Sequence, residues 1–187
     1  MSPGEATAVL LAIAYLLLAI RQNVLCWPSA IASAGIFAVL FFRAGLFMQA
    51  VLQGFYIAMS LYGWRTWSKG DSGQTLPVTS WPVRAHLAPV AVILLLGGAN
   101  GYLLAAHGGD ALPYLDAVLA WGAIVTTWLV ARKVLENWHY WFVIDAGSIY
   151  LYASQRLWLT AGLFSLYLVL IVVGYREWRG SMEPVGA

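Results

Sequence analysis

The sequence predicts an all-α membrane protein: seven transmembrane helices, built as two parallel three-helix repeats joined by a linker helix (3+1+3). Three observations carry this. Of the 187 residues 61% are hydrophobic and only 10% charged, against about 25% charged in a soluble domain. Seven stretches are long enough to cross a ~30 Å hydrocarbon core, which takes about 20 residues of helix. And the chain repeats itself at an offset of 111 positions.

Taken in order, the spans are expected near 6–22, 24–42, 46–67, 85–106, 113–131, 138–154 and 157–177. The first and fifth are short in uncharged residues, so Arg21 and Arg132 are expected to snorkel to the interface. The longest polar connection, Ser68–Arg84, holds Lys69, Asp71, Pro77 and Pro82; a shorter one is His107–Asp110. The remaining connections are tight, which makes consecutive helices antiparallel neighbours. A single transmembrane domain therefore covers 1–187, with repeat 1 at about 6–67, the linker helix at about 85–106 and repeat 2 at about 113–178.

Charge sets the orientation. With seven spans, Arg21, Arg65, Lys69, Arg84, Arg132, Lys133, Arg176 and Arg179 fall on one side, and only Arg43 and Arg156 on the other. The positive-inside rule puts the N-terminus outside and the C-terminus in the cytoplasm. A net charge of +2 with scattered basic residues argues against nucleic acid as a partner. The sole cysteine, Cys26, excludes an internal disulfide and a cysteine-rich metal site. No metal and no cofactor is expected. The N-terminal stretch has no basic leader and carries Glu5, so it does not read as a signal peptide. Sequence is compatible with a homo-oligomer and does not specify one.

At the 111-residue offset Arg21 meets Arg132, Trp27 meets Trp138, Tyr56 meets Tyr167, Gly63 meets Gly174, Arg65 meets Arg176 and Trp67 meets Trp178. Leu and Ala matches are cheap in this composition, but matches of Arg, Trp, Tyr and Gly are not. Four spans separate equivalent helices, so both units point the same way. The pseudo-two-fold then runs along the membrane normal, and sites in such folds lie between the halves near the midplane. The copies differ where function is expected. Trp141 and Asp145 are matched by Ala30 and Ala34, and Gln49 and Gln53 by Thr160 and Phe164.

The candidate site is built on two helices. In helix 6, Trp138, Trp141 and Asp145 share a face within roughly 60° of arc. A carboxylate there costs about 2.5–3.5 kcal/mol in hydrocarbon, so it should face protein or water. Two indoles beside a carboxylate suit a flat organic cation. Trp138 at the helix end also fits an interfacial anchor, and Asp145 also fits a structural partner within the bundle. In helix 3, Gln49, Gln53, Tyr56, Ser60, Gly63, Trp64 and Trp67 form one stripe, which must face the interior because lipid satisfies no hydrogen bonds. The Gln53 amide suits a carboxamide or a sugar hydroxyl, or an interhelical hydrogen bond. Trp64, Trp67 and Trp178 lie beside arginines and read as belt residues. Asn100, between Gly97 and Gly101, sits in a small-xxx-small helix-packing pattern and is a further candidate ligand. Glu136 and Asn137 cap helix 6 or gate its mouth. His86, His107 and His139 have no partner at metal or acid–base spacing.

These residues resemble the PnuC family of bacterial vitamin transporters. The carrying motifs are Gln53-x-x-Tyr56 followed by Tyr62-Gly63-Trp64-x-x-Trp67, then Glu136-x-Trp138-x-x-Trp141-x-x-x-Asp145, and Gly174-Tyr175-x-x-Trp178. The resemblance covers nearly the whole chain. It implies a fold like a full-length SWEET sugar transporter, location in the bacterial inner membrane and facilitated diffusion. It also implies a functional link to a cytoplasmic kinase that traps the substrate by phosphorylation. On family frequency the substrate is nicotinamide riboside, a vitamin B3 precursor that feeds NAD biosynthesis. Thiamine, riboflavin and deoxynucleosides are the alternatives, and Asp145 with its indoles suits the two cations better than neutral riboflavin.

An intramembrane enzyme is the competing class. It needs at least two convergent catalytic groups at one depth, and Asp145 is the only carboxylate there. A non-transporting structural subunit leaves the divergence at Asp145 and Gln53 without a reason. Proton coupling through Asp145 lacks a second buried acid or a facing histidine to complete a relay.

Overall fold

The computed structural model describes residues 3–43, 45, 47–68, 76–107 and 112–182, with side chains except at 47–49, 107 and 159. Among these residues the chain forms seven α-helices: α1 (Pro3–Ile20), α2 (Cys26–Arg43), α3 (Phe47–Ser68), α4 (Leu87–His107), α5 (Pro113–Ala131), α6 (Asn137–Ser154) and α7 (Trp158–Gly180). A 3₁₀ turn, Val83–His86, leads into α4. Each bound lies within a few residues of its expected position. Residues 69–75 and 108–111, in the two polar connections, lie outside the described residues. Five helices are long and apolar enough to cross a membrane by composition alone. The two below that threshold are α3 and α6, the helices whose apolar residues are interrupted by the candidate site.

The helix ends explain the tight turns. After α1, Gln22 takes a left-handed conformation (φ 53°), and after α5 so does Lys133 (φ 50°). The Asn23 N–H then reaches back to Leu18 O (2.9 Å), and the Val134 N–H to Leu129 O (3.1 Å). These are the six-to-one bonds of a Schellman cap, which satisfies carbonyls a helix end would leave bare. α6 ends alike, with Arg156 at φ 62° and Leu157 N–H on Tyr152 O (2.9 Å). Its repeat-equivalent after α2 is Gly45 at φ 77°, where glycine adopts the conformation without the steric cost a Cβ brings. Gln22 and Lys133, like Gly45 and Arg156, are 111 positions apart. The duplication read from side-chain identities is therefore matched in backbone geometry.

The chain divides into two compact units. The first comprises Met1–Val78, Ala131–Lys133 and Glu177–Ala187. In it α2 packs between α1 and α3, and the buried Ser33 hydroxyl donates to Ala8 O (2.8 Å). The Trp27 ring fills the notch left by Gly63 so closely that a methyl group there would overlap it. Trp67 meets Trp27 edge-on (5.2 Å between ring centroids) and Trp178 likewise (6.0 Å). Trp67 and Trp178, expected in the interfacial belt, are instead among the most buried residues, whereas Trp64 is 41% exposed. Proximity to arginine in sequence does not distinguish the two fates; which helix face the indole occupies does.

The second unit comprises Thr79–Val130 and Val134–Arg176. α4 lies on α5 through its small residues: a methyl at Gly97 would fall 2.8 Å from Val118 Cγ2, and one at Gly101 2.8 Å from Tyr114 Cα. This is the packing expected from the glycine spacing, and it makes the linker helix part of this unit. α5 and α6 meet where Gly147 receives Leu119 and Gly122 receives Ile144. Trp138 on α6 fills the notch of Gly174 on α7, just as Trp27 fills that of Gly63. The segment before α4 straps the start of α6. Leu135 N–H donates to Thr79 O (2.8 Å), and Glu136 accepts from the Ser80 hydroxyl and from Trp81 N–H (3.1 Å). His86 lies 3.9 Å from the same carboxylate and 3.0 Å from the Tyr140 hydroxyl.

Candidate functional site

In the second unit, α6 carries the central group. Asp145 is only 4% exposed, and among the described residues its carboxylate has no hydrogen-bond or ion-pair partner. Its neighbour one turn on, Ser148, is also buried. The Tyr167 phenol on α7 lies within electrostatic reach of the carboxylate. A phenolic hydroxyl can both donate and accept, so the pair can hold a group that carries charge on one side and hydroxyls on the other. Sequence reasoning had met Tyr167 only as the repeat partner of Tyr56. Its role beside Asp145 was available from the alignment of the two halves, since Tyr56 was already a candidate. Phe164 (5.6 Å from Tyr167) and Tyr152 (5.3 Å from Phe164) extend an aromatic run across α6 and α7.

The two tryptophans of α6 have different surroundings. Trp141 is half-buried. Trp138 is 3% exposed, and its six-membered ring is pressed into Gly174. That seating is shared with Trp27 in the other repeat, which carries no carboxylate. Asn100 on α4 is half-buried, with no hydrogen-bond partner for its amide among the described residues.

In the first unit, Gln53 and Tyr56 are half-buried on α3, and neither side chain has a hydrogen-bond partner among the described residues. Tyr56 stacks edge-on against Phe55 (5.8 Å). Ser60, on the same stripe, is buried. The Gln49 side chain lies outside the described residues.

Several other polar groups have structural partners, although Asn137 Oδ1 and the Thr126 hydroxyl are buried without a hydrogen-bond partner among the described residues. Glu136 holds the strap described above, and its side chain makes no capping bond to α6. Asn137 is fully buried and donates to Val134 O (2.6 Å). His139 is exposed and packs on Tyr175 (4.9 Å). Among the described residues no cluster of three His, Cys, Asp or Glu side chains is placed to hold a metal ion.

The second unit thus offers, among the described residues, a buried carboxylate without a hydrogen-bond or ion-pair partner, an aromatic run across α6 and α7 and, on α4, the half-buried Asn100 amide. Comparisons with known proteins agree with a transporter. The model of the nicotinamide mononucleotide transporter family matches residues 2–180. The nicotinamide riboside transporter PnuC of Escherichia coli is 26% identical, over 81% of this chain and 74% of its own length. The riboflavin/roseoflavin transporter RibM of Streptomyces davaonensis is also 26% identical, over 91% and 83%. The crystal structure of a vitamin B3 transporter PnuC superposes with a TM-score of 0.73 at 22% identity, covering 96% of this chain and 82% of the other. The fold is therefore that of PnuC, and the chain belongs to the nicotinamide mononucleotide transporter family.

Proposed function

We propose that this protein carries nicotinamide riboside across the bacterial inner membrane by facilitated diffusion. The observation that carries the reading is Asp145: a buried carboxylate with no counter-charge among the described residues. Leaving such a group unpaired is costly, and a cationic substrate supplies the missing partner. The pyridinium of nicotinamide riboside is such a cation. Trp141, half-buried and one turn before Asp145 on α6, supplies an indole of the kind that suits a flat cation. On sequence grounds Gln49, Gln53, Tyr56 and Asn100 are the proposed donors and acceptors for the carboxamide and ribose. Trp138 acts behind Trp141, by seating α6 on α7.

Alternating access, with the N-terminus outside and the C-terminus in the cytoplasm, follows from the parallel repeat and the bias of basic residues. A cytoplasmic kinase would trap the entering riboside as its phosphate. Family membership, and Asp145 being the only buried carboxylate among the described residues, both favour transport over intramembrane catalysis.

Riboflavin is the second reading, because RibM is as similar as the Escherichia coli PnuC and matches more of the chain. A thermal-shift panel on the purified protein separates them. Nicotinamide riboside is expected to raise the unfolding temperature by several degrees, since a ligand at 100 times its Kd adds about 2.7 kcal/mol. Thiamine should act more weakly, and riboflavin and deoxynucleosides not at all. A shift with riboflavin alone would overturn the assignment.

A further inference from the structure

We propose that the basic end of the first unit binds the headgroup of an anionic phospholipid, held by Arg21, Arg132 and Arg179 around the hydrogen-bonded triplet Gln22, Lys133 and Ser181. The triplet joins three stretches of chain remote in sequence. The Lys133 ammonium donates to Gln22 Oε1 (3.1 Å), and Gln22 Nε2 donates to the Ser181 hydroxyl (2.6 Å). Each arginine lies one or two residues from a member of the triplet, and all three are exposed. Arg65, also exposed, lies two residues before Trp67, whose ring centre is 4.6 Å from the Lys133 ammonium. Arg21, Arg65 and Arg179 have no ion-pair partner among the described residues. Apart from Glu5, near the start of α1, Glu177 is the only carboxylate among the unit's described residues. Four exposed guanidiniums and a buried ammonium against one carboxylate leave a positive field that attracts anions.

Lys133 is 4% exposed and has no carboxylate on it among the described residues. Burial lowers its pKa from the ordinary lysine value, and an anion close by favours its charged form. The helix ends do not compete for the guanidiniums. The C-terminal carbonyls of α1 and α5 carry partial negative charge, but Ala19 O accepts the Trp178 indole N–H (3.0 Å) and Ala131 O that of Trp67 (3.1 Å). Leu18 O and Leu129 O accept the capping bonds already described. The arginines are left to fork onto phosphate oxygens. What makes the phosphate a lipid's is the surface beside it. Leu10 and Leu17 are 67% and 46% exposed, and spacings of seven and four residues put them on the face of α1 that carries Arg21. A phosphate at the arginines therefore continues into acyl chains lying along α1. Basic pockets between spanning helices take anionic headgroups in this way. The site does not depend on which solute the protein carries.

Native mass spectrometry of the whole chain with added lipid tests this. Wild-type protein should bind phosphatidylglycerol at least about tenfold more tightly than phosphatidylcholine with the same acyl chains. Arg21→Gln combined with Arg179→Gln should weaken phosphatidylglycerol about 25-fold, about fivefold per arginine, and leave phosphatidylcholine unchanged. Arg21→Lys combined with Arg179→Lys should keep most of the preference, because the charge remains. Arg43→Gln, at the exposed end of α2, should change neither lipid. Equal binding of the two lipids by wild-type protein would overturn the site, as would full retention of phosphatidylglycerol by the glutamine pair. An equal loss on Arg43→Gln would contradict it too, since it marks charge attraction without a site. Displacement of the lipid by inorganic phosphate at matched ionic strength would assign the arginines to free phosphate, against a lipid.

Discussion

Asp145→Asn is expected to weaken nicotinamide riboside binding by about a hundredfold and, at the same time, to make the empty protein more stable. The first effect is the loss of a charge-assisted contact worth about 1.5–3 kcal/mol. The second follows because the amide has nearly the same shape and carries no unpaired buried charge. Titration calorimetry and thermal unfolding of the two proteins check both halves. If the carboxylate were a brace within the bundle, the substitution would lower stability, and the two readouts would fall together. Opposite signs are the mark of a group kept for function at a cost in stability.

Gly174→Ala is expected to destabilise the protein by about 1–3 kcal/mol, as overpacking does. The sign is informative, because Gly→Ala in a helix ordinarily gains up to about 1 kcal/mol of propensity. Here the added methyl overlaps the Trp138 ring. Gly63→Ala should behave in the same way against Trp27, and Trp138→Phe should recover part of the Gly174→Ala loss. Thermal unfolding of the four variants checks this. Wild-type stability in both alanine variants would show that the notches are looser than the structure describes. The seating also couples to function: Trp138 lies on the same helix as Asp145, so a shifted α6 displaces the carboxylate from Tyr167.

Much of this was legible in the chain itself. Spanning helices announce themselves by length and composition, and the repeat was visible because Arg, Trp, Tyr and Gly matches are rare in an apolar background. Asp145 stood out because a carboxylate in hydrocarbon demands a reason. What sequence could not separate was one tryptophan from another. Trp64, Trp67 and Trp178 all sit near arginines, yet only Trp64 faces outward. Trp138 and Trp141 lie three residues apart, yet one fills a glycine notch and the other is half-exposed. The notches were encoded, since Trp27 pairs with Gly63 and Trp138 with Gly174 at the same offset. Reading them required knowing that the two positions touch. Lys133 was counted only as a basic loop residue; its burial depends on Gln22 and Trp67, remote in sequence, and on a left-handed turn that no glycine advertised.

The central claim is that a positive charge on the substrate is recognised by Asp145. The most direct test compares nicotinamide riboside with its reduced dihydro form, which keeps the carboxamide and ribose but loses the pyridinium charge. Wild-type protein should bind the oxidised riboside about a hundredfold more tightly, and Asp145→Asn should bring the two affinities within a few-fold of each other. Equal affinity of wild-type protein for both forms would contradict the account.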